Sequence, residues 1–143
     1  MTKGETAKSI FEQGYSCAQA VFMAYAEDFG MDKTLAAKAA CGLGGGIARS
    51  RETCGAVIGA IMAIGLRHSD GSADDKVAVY EISRKFMDEF KKEFGSDNCG
   101  ELLGLGKNAV QTAAPDKRTN EYYEQRPCSC MVEFAANAVE KYL

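Results

Sequence analysis

Apolar and polar positions recur along this chain with a period near 3.6 residues, the signature of amphipathic helices. Ala7, Ile10 and Phe11 share one face of a helix predicted over residues 2–13, which Gly14 stops. A second helix is predicted from Ser16 through Val21, Phe22 and Tyr25 to about Phe29. Ser16 and Gln19 fit the capping box, in which each side chain bonds the other's free backbone N–H. Asp32 caps a third helix that passes Leu35, Ala36, Ala39 and Ala40 and runs out in Gly42-Leu43-Gly44-Gly45-Gly46. Thr53 is the expected N-cap of a fourth, over residues 54–66. In that helix Gly55, Gly59 and Ala63 lie four apart and make a smooth stripe, open to close approach by a helix of the same chain or of a second copy. A long fifth helix is predicted over residues 74–94, with Val77, Tyr80, Ile82, Phe86, Phe90 and Phe94 near helical spacing, and Gly95 ends it. A short helix follows from Asn98, with Cys99, Leu102 and Leu103. The last, over residues 127–142, turns Val132, Ala135, Ala136 and Val139 inward. Residues 104–126 are polar and irregular, hold Pro115, Asp116, Tyr122 and Tyr123, and are expected on the surface or over a site. No strand pattern, tandem repeat or low-complexity segment competes with these elements.

The expected fold is therefore all-α, a single-domain bundle of about five to seven helices over residues 1–143. A chain of 143 residues can bury a core large enough to fold without disulfides. The net charge of −3, with no basic cluster, argues against nucleic acid and anionic membrane as partners. The longest apolar stretch, residues 56–66, falls short of the roughly 20 residues that span a bilayer, so it is expected as a buried core helix rather than a membrane insertion. Residues 1–9 carry lysines and glutamate and no apolar run, so the expected compartment is the cytoplasm. The stripe at Gly55, Gly59 and Ala63 suggests a homodimer.

The cysteines change the picture most. Six of them, in a chain expected in a reducing compartment, point to metal binding or redox chemistry rather than structural disulfides. Ser16-Cys17, Thr53-Cys54 and Asn98-Cys99 are each a good N-cap residue followed at once by cysteine. Ser129-Cys130 reads the same way, and Cys128 follows Pro127, a residue favoured in a first helical turn. Helix starts offer free N–H groups and partial positive charge, which favour thiolate over thiol. The thiolate is both the nucleophile of disulfide exchange and a metal ligand. If those helix starts converge, four thiolates surround one point, as a four-coordinate metal or an iron–sulfur cluster requires. Cys41, late in a helix among alanines, reads as core. Spacing alone matches no metal motif: there is no Cys-x-x-Cys pair and no Cys-x-x-Cys-His haem attachment, and Cys128-x-Cys130 is the nearest approach. The glycine run with Arg49 and Arg51 is weighed as an anion cradle but reads better as a flexible connection whose arginines face solvent. His68 reads as a surface residue suiting the C-terminal dipole of its helix. Tyr15, Tyr122 and Tyr123 are expected in ordinary packing.

Cys54-Gly55-Ala56-Val57-Ile58-Gly59, with Cys17-Ala18-Gln19-Ala20 upstream and Cys99 and Cys128 downstream, resembles the redox-active protein family named for the pattern C-GCAxxG-C-C. The resemblance covers nearly the whole chain and includes Gly44-Gly45-Gly46. It implies a redox role for Cys17, Cys54, Cys99 and Cys128. Alignment to the family favours Cys128 as the fourth residue, whereas capping favours Cys130. A similar cysteine-bearing domain occurs in split-Soret cytochromes, which hold an iron–sulfur cluster, and that likeness implies a [2Fe–2S] cluster here. The expected function is electron transfer with a redox partner protein. The alternatives are a thiol–disulfide oxidoreductase using the same cysteines without metal, and a zinc-binding structural or regulatory module.

Overall fold

The computed structural model describes residues 1–106, 109 and 111–143, and among them it holds eight α-helices and no strand. They are α1 Lys3–Glu12, α2 Cys17–Ala26, α3 Lys33–Ala40, α4 Gly55–His68, α5 Val77–Phe94, α6 Cys99–Leu102, α7 Asn120–Gln125 and α8 Cys128–Val139. Single 3-10 turns extend α2, α3 and α8.

Helix α2 is apolar on nearly every side, and it takes the middle of the bundle with α1, α3, α4 and α8 around it. Gly55 and Gly59 of α4 face α2. A Cβ on Gly59 would lie 2.6 Å from the Ala18 carbonyl oxygen, and one on Gly55 would lie 2.9 Å from the Ala18 nitrogen. The small-residue stripe is thus filled by a helix of the same chain and carries no argument for a second copy. Helix α1 lies along α8, where the Gly4 N–H donates to Asn137 Oδ1 at 2.7 Å. Buried Tyr25 of α2 donates its hydroxyl to the Ala136 carbonyl of α8, tying the central helix to the last one. Phe86 and Phe90 of α5 close the far side of the core.

The capping pattern largely forms as read: Ser16 with Gln19 completes a capping box, and Asp32 and Asn98 cap α3 and α6. A further capping box, Thr2 with Glu5, starts α1 and was not anticipated. Several expectations need correction. Thr53 does not cap α4: it pairs antiparallel with Asn98 in an isolated bridge, and Cys54 itself occupies the N-cap. Ser129 does not start α8, because Pro127 takes the cap and the helix begins at Cys128. Helix α5 begins at Val77 rather than near Asp74. Its first turns project past the bundle, leaving Val77 68% and Tyr80 62% exposed. Cys41 is exposed rather than core: α3 turns Ala36 and Ala40 inward, and Cys41, one position on, shares the exposed side with Thr34 and Lys38. Residues 104–126 include α7, which was not anticipated; Lys107, Asn108 and Val110 of that stretch lie outside the described residues. Among the described residues, no helix is long and apolar enough to cross a membrane.

Candidate functional site

The bridge between Thr53 and Asn98 sets up the site. The Cys54 N–H donates to the Asp97 carbonyl at 2.7 Å, and the Cys99 N–H donates to the Glu52 carbonyl at 2.6 Å. Two helix starts far apart in sequence are thereby locked side by side. The loop of residues 44–51 closes over them in an unusual conformation. Gly45, Gly46, Ile47, Ala48 and Arg49 all lie in the left-handed region, with φ from 50° to 70°, and Arg51 joins them at 62°. Each non-glycine residue held there costs roughly 1–2 kcal/mol. Hydrogen bonds from Ala48 N–H to Gly42 O and from Glu52 N–H to Gly46 O, at 2.8 and 2.9 Å, help to offset that strain. Gly46 is obligatory: a Cβ on it would lie 2.6 Å from the Cys99 Cβ.

Cys17, Cys54, Cys99 and Cys128 all line one small cavity of about 60 Å³. Cys17, Cys99 and Cys128 are the first residues of α2, α6 and α8, and Cys54 caps α4, so four helix N-termini meet there. Cys130, two residues on from Cys128 in α8, is exposed and lines a different surface hollow beside Glu133 and Phe134. His68 lies elsewhere, against the Tyr142 carbonyl. Among the described residues, no three His, Cys, Asp or Glu side chains are set to hold a single metal ion as they stand.

Three arginines share the cavity wall: Arg51, Arg118 and Arg126. Arg51 Nη1 donates to Cys99 Sγ at 3.6 Å, while its Nε donates to Gln111 Oε1 at 2.8 Å. Arg118 lies 4.6 Å from the Phe11 ring centre and 4.9 Å from that of Tyr122. It donates to the Phe11 and Tyr15 carbonyls. Arg126 lies 5.0 Å from the Tyr122 ring centre and pairs with Asp116 at 2.6 Å. Arg49 is held by the Thr112 and Ala114 carbonyls and by Asp116. The expectation of a flexible loop with solvent-facing arginines is therefore wrong: these side chains are anchored to residues 111–116, some sixty positions away. Tyr122 lines the cavity, whereas Tyr123 packs edge-on against Phe11 and Tyr15 remains at the surface.

The thiols are not equivalent. Burial pushes Cys54 up to about 12, overriding the Ala56 and Val57 N–H groups that favour its thiolate. Helix-start position alone was expected to depress these thiols, but at Cys54 desolvation is the larger effect. Cys17 and Cys128 line the same cavity and titrate as a pair. Cys17 is held well above the usual range because its proton bridges to Cys128 and because it is buried. Cys128 is lowered to about 7 by that same hydrogen bond, with the Arg126, Arg118 and Arg51 charges adding to it. Of this pair, Cys128 is therefore the thiol that ionises first. Arg118 and Arg126 carried no sequence signal, since they lie in the irregular stretch with no spacing relation to any cysteine.

Fold and site together define an all-helical protein with a four-cysteine, arginine-lined centre. The chain belongs to the family described as "Putative redox-active protein (C_GCAxxG_C_C)", which matches it over residues 15–142. No curated protein and no solved structure matches the chain.

Proposed function

We propose that this protein transfers electrons at the centre formed by Cys17, Cys54, Cys99 and Cys128, with a [2Fe–2S] cluster held by these four thiolates as its working form. The observation that carries this reading is the meeting of four thiol-bearing helix starts at one cavity. The donor set suits such a cluster in number and type: four cysteines, each from a different helix. When bound, the cluster supplies a one-electron couple. The chain's own contribution is electrostatic. Helix N–H groups and the guanidiniums of Arg51, Arg118 and Arg126 offset the negative charge of gathered thiolates, and Arg51 donates directly to the Cys99 sulfur. Cys54 and Cys17 ionise reluctantly in the metal-free form, so metal binding must release their protons, and loading should improve as pH rises.

A second reading has its own observation. Cys17 and Cys128 side by side in one cavity, with Cys128 lowered to about 7, is the arrangement of a reactive dithiol. Oxidation of that pair to a disulfide passes two electrons and two protons to a partner disulfide, which becomes two thiols.

The test is a visible spectrum with iron, sulfide and zinc analysis on protein purified without oxygen. The cluster reading expects iron and sulfide in equal amounts with thiolate-to-iron absorption, all lost in Cys54→Ser. Iron-free, colourless protein whose free-thiol count drops by two on oxidation overturns it in favour of the dithiol. Stoichiometric zinc would overturn both.

A further inference from the structure

A second, larger cavity of about 380 Å³ adjoins the thiol cavity and shares Arg51, Arg118, Arg126 and Tyr122 with it. Its size is that of a small-molecule site, within the usual range of several hundred Å³. Its outer wall adds Arg49 and Asp116, neither of which lines the thiol cavity. Four arginines against one aspartate leave a local charge of +3 in the wall of a protein whose net charge is −3. Counter-charge for the thiols accounts for Arg51, Arg118 and Arg126, but it does not account for Arg49. Positive charge concentrated in a concave site raises the local concentration of anions.

The guanidiniums are held in place before any ligand arrives. Arg49 and Arg126 share Asp116, at 3.4 and 2.6 Å; Arg118 is stacked on aromatic rings; and Arg51 is fixed by Gln111. Side chains already ordered lose little entropy on binding, and planar guanidinium forks match carboxylate and phosphate oxygens. Gly42, Gly44 and Gly45 leave part of the wall without side chains, and Tyr122 offers a ring to the carbon portion of a ligand.

We propose that this vestibule binds a small organic dianion, a dicarboxylate or a phosphate ester, and holds it against the thiol centre. Its use as a redox substrate rests on the function proposed above, but the binding itself does not.

The experiment is calorimetric titration of the full-length protein, purified without oxygen, with succinate and separately with inorganic phosphate. Succinamide serves as the uncharged control, and iron and sulfide are assayed on the same samples. At least one anion is expected to bind saturably at one site per chain, to weaken with added sodium chloride, and to far outbind succinamide. Arg49→Gln should weaken binding about tenfold or more, the usual loss for a charge-assisted contact. Asp116→Asn should instead tighten it, by about threefold or more, because it removes the negative charge that competes for two guanidiniums while the amide oxygen still accepts from them and keeps them placed. A gain of affinity cannot arise from misfolding. Absence of saturable anion binding to both the wild-type and Asp116→Asn proteins overturns the proposal, as does succinamide binding equal to succinate. So does unchanged affinity in Arg49→Gln. Anion binding to iron-free protein would sink the cluster and leave the vestibule standing; an iron-loaded protein that binds no anion would do the reverse.

Discussion

At the scale of the residue, chemistry at this site depends on which effect dominates around each sulfur. Cys54 has two N–H donors from its own helix, yet burial overrides them; Cys128 is also largely enclosed, yet a thiol donor and three guanidiniums override its burial. The difference is testable in the reduced, metal-free protein. Thiolate is the nucleophile, so alkylation of Cys128 by iodoacetamide should accelerate as pH rises through about 7, while Cys54 should stay inert until strongly alkaline pH. Arg126→Gln removes a stabilising charge and Cys17→Ala removes the hydrogen bond, so each should move the Cys128 midpoint upward. Peptide mapping of the alkylated cysteines checks this residue by residue. Exposed Cys41 and Cys130 serve as internal comparisons. A midpoint unmoved by both substitutions would show that neither partner controls the thiol.

At the scale of the element, helix starts do two jobs: they begin the bundle's helices and they deliver its sulfurs. Ser16 and Asn98 made two of those starts legible, because a capping side chain is a local signal that needs no tertiary contact. Thr53 misled for the same reason. Its hydroxyl makes it a good cap, but the pairing of residues 52–54 with 97–99 takes it into a bridge and moves the helix start on by one residue. The stripe on α4 was legible as a surface for close approach, though not which surface it met. Gly59→Ala should cost about 1–3 kcal/mol, because its Cβ would press on the Ala18 backbone rather than on a side chain able to rotate away. A urea denaturation midpoint below wild type, with an unchanged slope, is the expected result. Gly65→Ala on the same helix, where a Cβ meets nothing within 4 Å, is the matched control and should not destabilise.

At the scale of the whole molecule, the site sits at one edge of the core, which Cys54 and Phe11 join to it. The other large buried side chains, among them Phe86, Phe90 and Ile64, do not line the thiol cavity and hold the helices together without help from the cysteines. If the proposed cluster is present, removing its iron with a chelator should therefore leave the far-ultraviolet circular dichroism of a helical protein. The melting temperature should fall by about 3 °C per kcal/mol of lost binding energy, because the cluster would clasp four helices that the core already positions. Collapse of the helical signal on chelation would contradict this and favour a structural metal. The sequence by itself determined the helical class and most helix boundaries, and it singled out Cys17, Cys54 and Cys99 with the fourth cysteine left between Cys128 and Cys130, because periodicity, caps and a family pattern are written in near neighbours along the chain. Only the tertiary structure decided that Cys128 and not Cys130 faces that cavity, that Cys41 faces outward, and that arginines from residues 49–51 and 118–126 gather around the sulfurs. Those outcomes depend on how α8 is rotated and on a left-handed loop anchored to residues some sixty positions away, and contacts between distant segments leave no local pattern to read.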